Sequence, residues 1–299
     1  MSEKVTEFDV LNRWLPRMEA APGAPSMLVG PGDDCAVLSF GGGKLLAAVD
    51  SVIGDVHYYQ NSTPAEKVAA KLLKRNLSDI AAMGGEPLWA LLALNAAKVD
   101  NAWVDGFFSG LLSCAREYHV AVAGGDFASC PAAAPGVVAS LTILGKAEYE
   151  PVLRSGAKPG DGIWVTGSFG NSLAGRHLDF VPRIAEGRFL ARNAFADAML
   201  DISDSLAVDL GRVAVASGVT VELDPERIPC NTTLQAALAD GEDYELAFAV
   251  PPEREAELRE QWNFATRLTR IGVCREFAQA PLIDRDGRRI EAKGYEHTV

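Results

Sequence analysis

The chain has 299 residues, 48% of them hydrophobic, and its 40 acidic against 28 basic side chains give a formal net charge of -12. That length and apolar content suffice for a large core and are compatible with two domains of ordinary size. The negative balance disfavours non-specific binding to nucleic acid or to an anionic membrane, because both rest on Lys and Arg neutralising phosphates.

Phosphate ligands stay open to such a chain when divalent metals bridge carboxylates to phosphates. Every apolar run, such as Leu88 to Ala97, is too short to span a bilayer and ends in polar residues. The start, Met1-Ser2-Glu3-Lys4, lacks the basic and then apolar layout of a secretory signal, so the expected location is cytoplasmic. Cys35, Cys114, Cys130, Cys230 and Cys274 form no C-x-x-C pair, which argues against a zinc site and a disulfide framework.

In chain order, Phe8, Leu11, Leu15 and Met18 mark one face of a first helix, with Thr6 and Asp9 resembling a capping box. Gly30-Pro31-Gly32-Asp33-Asp34 follows, a tight turn carrying two adjacent carboxylates. Glycine lets the backbone fold back sharply, and paired aspartates supply the hard oxygens that Mg²⁺ takes once phosphates or further carboxylates complete the set. Read alone, the stretch fits a solvated hairpin turn at least as well.

Predicted strands over 36–40 and 45–49 are joined by Gly41-Gly42-Gly43, and the second delivers Asp50 at its end, with His57 a short loop later. Thr63-Pro64-Ala65-Glu66 predicts a helix start with a capping box and Pro at the first helical position. That helix runs through Lys71, Asn76 and Asp79 to Gly84-Gly85. Asn76 and Asp79 share a face, which points either to solvent or into a site. A buried strand over 88–94, an amphipathic helix over 103–118, a short strand over 120–123 ending in Gly124-Gly125-Asp126, and a strand over 137–144 complete the first half. Turn formers from Ser155 to Asp161 introduce a second domain. The expected division is therefore 1–146 and 147–299.

The second half alternates strands (162–166, 220–223, 244–250, 267–273) with helices (189–198, 206–217, 253–261), which implies a layered α/β or α+β domain. Asp201 and Asp204 precede the helix at Leu206, where a helix N-terminus would offer free N–H groups to a phosphate and the aspartates oxygens to a metal.

Phosphate-loop, protein-kinase and Rossmann signatures are absent, and His57, His119, His177 and His297 show no zinc spacing. What remains is a dispersed set of acids, Asp33, Asp50, Asp79, Asp126, Asp201 and Asp204. Together they suit metal ions bound through carboxylates and phosphates.

Six ordered motifs carry a family resemblance. Gly32-Asp33-Asp34-Cys35-Ala36, Val49-Asp50-Ser51 with His57, Asn76-Leu77-Ser78-Asp79-Ile80-Ala81-Ala82-Met83-Gly84, Gly124-Gly125-Asp126, Asp201-Ile202-Ser203-Asp204 and Gly241-Glu242-Asp243-Tyr244-Glu245-Leu246 resemble those of the thiamine-monophosphate kinases, in the superfamily of aminoimidazole ribonucleotide synthase. The resemblance implies a two-domain α/β (α+β) fold whose N-terminal domains pair in a homodimer, with ATP and thiamine monophosphate in a cleft. By position it implies that Asp33, Asp50, Asp79, Asp126 and Asp201 bind Mg²⁺, with Asp204 on a further metal. It also implies that Gly125, Asp126, Arg154 and Ser203 contact ATP, and that His57, Glu242 and Tyr295 face the thiamine phosphate.

The chain departs from the family pattern at Ala48-Val49, where small hydroxyl residues are usual, at Phe127, where Thr is usual, and at Ser205, where Gly is usual. A positive φ at Ser205 would strain it by about 1 kcal/mol or more. Two alternatives accompany the kinase: another ATP-dependent enzyme of the superfamily, or a non-catalytic nucleotide-binding homologue. Selenophosphate synthases carry a reactive Cys or selenocysteine near the N-terminus, and hydrogenase-maturation relatives end in Cys; neither feature is present.

Overall fold

The structure, a computed structural model, describes residues 27–30, 32–97, 99–130, 136–291 and 294. The helix expected around Phe8 to Met18 and the site residue Tyr295 lie outside these residues. The first half comprises β1 (Met27–Val29), β2 (Ala36–Phe40), β3 (Gly43–Ile53), α1 (Ala65–Ala82), β4 (Glu86–Ala96), α2 (Asn101–Glu117), β5 (Ala121–Ser129) and β6 (Val137–Ala147). The second comprises β7 (Gly162–Thr166), α3 (Arg176–Asp179), α4 (Ile184–Arg192), β8 (Ala198–Asp201), α5 (Leu206–Ser217), β9 (Val219–Leu223), α6 (Leu234–Ala239), β10 (Leu246–Val250), α7 (Glu255–Gln261), β11 (Leu268–Glu276) and β12 (Leu282–Asp284). Two six-stranded sheets result, in the orders β1-β2-β3-β6-β4-β5 and β12-β9-β11-β7-β10-β8.

The strands of the first sheet alternate, so one face is apolar and packs on α1. Leu46, Val52, Ala90, Leu92, Leu141 and Ile143 meet Val68, Leu72, Leu77 and Ile80, and α2 adds Phe107 and Leu111 behind α1. Helix α1 is also packed from the second half: Ala82 joins the cluster of Trp164, Leu190 and Phe248. A Cβ on Gly187 of α4 would lie 2.0 Å from the Ala81 carbonyl oxygen, so this crossing is closed to any larger residue.

The second sheet is covered on both faces. Ile163, Val165, Leu200 and Ala247 face α5, while Trp164, Met199 and Phe248 face α4 and α7. Its central strands therefore read as unbroken apolar runs rather than as alternation.

Several local expectations are corrected. β3 continues to Ile53, so Asp50 lies within a strand and not at its end. β4 is buried on one face only, since Trp89 and Leu91 are exposed. Gly124-Gly125-Asp126 lies inside β5, which pairs in parallel with β4 as an edge strand. Thr63 does not cap α1; its hydroxyl accepts from the Tyr59 N–H, and Pro64 precedes the first helical turn. The helix expected over 189–198 ends at Arg192, because Ala198–Asp201 pairs with β10. Ser205 has φ 175, an extended backbone open to any residue, so no strain arises there; its hydroxyl instead accepts from the Val208 N–H and caps α5.

Candidate active site between the two sheets

Carboxylate oxygens of Asp34, Asp79 and Asp201 lie within 4.8 Å of one another. They come from the glycine turn before β2, the last turns of α1 and the end of β8, so the site exists only where the two halves meet. Asp34 and Asp201 are buried. Ser78 Oγ donates to Asp201 Oδ2 at 2.6 Å, and Arg154 Nη2 donates to Asp34 Oδ1 at 2.6 Å. Asp34 Oδ2 is buried without a hydrogen-bond partner.

Burial pushes two of these acids, Asp79 and Asp201, toward the neutral form. Asp79 is held well above the usual carboxylate range, first by burial and then by the charges of Asp50, Asp201 and Asp34. Asp201 is pushed up to about 8 by burial and by Asp34. Three crowded carboxylates with one oxygen left unpaired fit a divalent cation, which relieves both the repulsion and the missing bond.

The other expected ligands are distributed around this centre. Asp33 is turned toward the backbone: its oxygens accept from the N–H groups of Asp34 at 3.0 Å and Arg154 at 3.1 Å. The twin acids thus divide, with Asp34 rather than Asp33 in the close trio. Asp50 is paired with Arg75 Nε at 3.1 Å, and its N–H is accepted by Asn76 Oδ1, also at 3.1 Å. Burial raises the Asp50 carboxyl, Arg75 opposes this, and Asp204 and Glu242 add to it, which puts those acids in the same field. Asp204 is held by Arg212 Nη2 at 2.5 Å.

Asp126 is not brought into the cluster. Its row across the first sheet is Ser51, Ser140, Ala93 and Asp126, and the bond between Ser51 Oγ and Ser140 Oγ at 2.6 Å marks that row's shared face. This is the outer face, whereas Asp50, next to Ser51, faces α1. Gly125 is beside Asp126 on the same exposed edge strand.

The N–H groups ahead of α5 are not free for a phosphate. Asp209 Oδ2 accepts from Ser203, Asp204 and Ser205 at 3.0, 3.0 and 3.2 Å. An internal carboxylate therefore fills the anion position that the sequence left open at this helix start. Ser203 keeps its hydroxyl and its place beside Asp204, and Arg154 is spanned between Gly32 O and Asp34.

His57 and Glu242 do converge, through a residue the motifs did not single out. Lys71 Nζ donates to His57 O at 2.5 Å and contacts Glu242 Oε1 at 2.7 Å and His177 Nδ1 at 2.7 Å. Burial pulls the Lys71 ammonium down to about 8, with Glu242 working against that. Burial likewise opposes the Glu242 charge, but Lys71 and Arg75 outweigh it and hold the carboxyl below the usual carboxylate range. The signal for Lys71, Arg75 and Ser78 was available as a polar stripe at helical spacing on α1 leading to Asp79. His177 and Asp209 carried no comparable signal.

A fold of two sheets joined over a carboxylate cluster defines the class. Residues 32–147 match the family described as AIR synthase related protein, N-terminal domain. The chain belongs to the thiamine-monophosphate kinase family. It is 35% identical to the thiamine-monophosphate kinase of Rhodopirellula baltica over 83% of this chain and 84% of that one. It is 32% identical to the enzyme of Escherichia coli strain K12 over 97% and 98%. The solved structure of AaThiL complexed with AMPPCP and TMP superposes with a TM-score of 0.84 at 29% identity, covering 98% of this chain and 97% of that one.

Proposed function

We propose that this protein transfers the γ-phosphoryl group of ATP to thiamine monophosphate, giving thiamine diphosphate and ADP. The observation that carries the reading is the close Asp34–Asp79–Asp201 trio with its unpaired oxygen, in a chain of this family. The AaThiL complex with AMPPCP and TMP supports the pairing of a nucleotide with this acceptor.

The acceptor is itself a phosphate, already anionic near neutral pH, so no general base is needed. A phosphate oxygen of thiamine monophosphate attacks the γ-phosphorus, the bond from that phosphorus to the β,γ-bridging oxygen breaks, and ADP leaves with the electron pair. The barrier lies in anion repulsion and alignment. Mg²⁺ bound here would supply positive charge to offset that repulsion. Asp34, Asp79 and Asp201 would hold it, with Asp33, Asp50 and Asp204 completing the metal set. In this reading the aspartates are engaged as metal ligands rather than as phosphoryl acceptors, which agrees with direct transfer.

In this reading Gly125, Asp126, Arg154 and Ser203 serve ATP, and His57, Glu242 and Tyr295 serve the acceptor. The protein works in the cytoplasm as a homodimer, with 1–146 as the nucleotide-binding and dimerisation domain and 147–299 completing the cleft. Support for the dimer comes from the outer face of the first sheet, where Val49, Trp89 and Leu91 are exposed at 65%, 43% and 43%. Pairing through that face would carry Asp126 toward the site of the second copy, which reconciles its position with a role at the nucleotide. The test of direct transfer is stereochemical: chiral γ-thiophosphate should be transferred with inversion, and retention would require a phosphoenzyme and sink the mechanism.

A further inference from the structure

Lys71 has 0% exposure, and an ammonium taken out of water needs a partner for each of its three protons. It finds them in three different segments: His57 O in the loop after β3, His177 Nδ1 in α3, and the Glu242 carboxylate ahead of β10. The first belongs to the same half of the chain as Lys71 and the other two to the second half. Because an ammonium has no lone pair, His177 Nδ1 must accept, which leaves the ring proton on Nε2. The 3.2 Å approach of His177 Nδ1 to Glu242 Oε2 is then two acceptors bridged by Lys71.

Glu242 sits at φ 61, a left-handed backbone that a non-glycine residue keeps only where its surroundings over-determine it. Its N–H donates to Ser203 O at 2.7 Å, and Tyr244, stacked on Phe180 at 4.0 Å, reaches Oε1 with its hydroxyl at 3.4 Å. Lys71 is the charged partner that aims the carboxylate. The metal trio is held separately, by Ser78 and Arg154.

We propose that Lys71 is a positioning residue for the acceptor side of the cleft: it fixes Glu242 and the His57 loop in one geometry across the junction of the two halves. The proposal rests on the reading in which His57 and Glu242 face the acceptor. It requires that loss of Lys71 act on acceptor binding while leaving nucleotide binding in place.

The test uses the full-length K71M variant together with K71M/E242Q, in which the carboxylate left unpaired by the first change is also neutralised. The expected result for both is a KM for thiamine monophosphate raised about tenfold or more, with the KM for ATP within about twofold of wild type. The double variant should recover thermal stability without recovering acceptor KM. If K71M does not fold, K71M/E242Q is compared with E242Q alone: acceptor KM is expected to rise further on removing Lys71, through the loosened His57 loop, and no further rise overturns the proposal. Acceptor KM within about twofold of wild type, or both KM values rising together, overturns the proposal. A readout independent of turnover is the ¹⁵N spectrum of the imidazoles: His177 is expected as the Nε2–H tautomer in wild type and no longer fixed in K71M. An Nδ1–H tautomer in wild type overturns the geometry. Wild-type protein that forms no thiamine diphosphate overturns the function instead, and the imidazole result then decides the role of Lys71 on its own.

Discussion

Ser78 Oγ donates to Asp201 Oδ2 at 2.6 Å, joining residues 123 positions apart and pinning α1 to the end of β8. The bond makes one helix of the first half a structural part of the second. In S78A, Asp201 loses its donor while remaining buried, which should cost about 1–3 kcal/mol. Calorimetry should show a lowered midpoint for S78A, with part of the loss recovered on adding Mg²⁺.

The pH dependence of stability should reverse the usual acid-denaturation pattern when metal is absent. Asp33, Asp50, Asp79 and Asp201 are all raised, chiefly by burial, and Asp201 reaches about 8. Folded protein therefore keeps protons that the unfolded chain has released, and stability present below about pH 4 falls as pH rises toward 8. Glu242 has the opposite sign: it is lowered to about 2, so its contribution is complete above the ordinary Glu range and lost only in strong acid. It adds no slope in the window. Mg²⁺ binds the ionised carboxylates, so midpoints measured from pH 5 to 8 should fall more steeply in chelator than in Mg²⁺. Parallel slopes would contradict a metal site built from these acids.

Gly187 tests the contact between the halves without touching the chemistry. A Cβ there would meet the Ala81 carbonyl at 2.0 Å, and a backbone oxygen cannot swing aside as a side chain can. G187A should destabilise by about 1–3 kcal/mol, as overpacking does. Chemical denaturation should locate the loss.

Asp126 offers a test of pairing. In a two-fold homodimer that shares sites, mixing inactive D126N with inactive D79N should restore activity, reaching about a quarter of wild type because half the dimers are mixed and each holds one intact site. No recovery after subunit exchange would mean that Asp126 acts within its own chain or not at all.

The sequence made four of the six strands of the second sheet legible because strands buried on both faces leave unbroken apolar runs, as at Gly162–Thr166. β8 and β12 went unread because they are only four and three residues long. Amphipathic α1 was equally clear. Local signals failed where tertiary contacts decided the outcome. Thr63 looked like a cap, but Tyr59 claimed its hydroxyl. The N–H groups before α5 looked open, but Asp209 had folded back on them. Acids were visible one by one, while the division of labour between Asp33 and Asp34 depends on Arg154, more than a hundred residues away. Lys71 stood in plain view on its helix. Its meaning came only with Glu242, which the fold brings to it from 171 positions downstream.

The most direct measurement is a competition of acceptors. Purified protein is given ATP and Mg²⁺ with thiamine monophosphate and thiamine together, and the products are separated and counted against ADP. The proposed activity requires thiamine diphosphate and ADP in equal amounts, with thiamine left unconsumed. ADP formed without thiamine diphosphate, phosphorylation of thiamine instead, or no turnover while ATP still binds would contradict it.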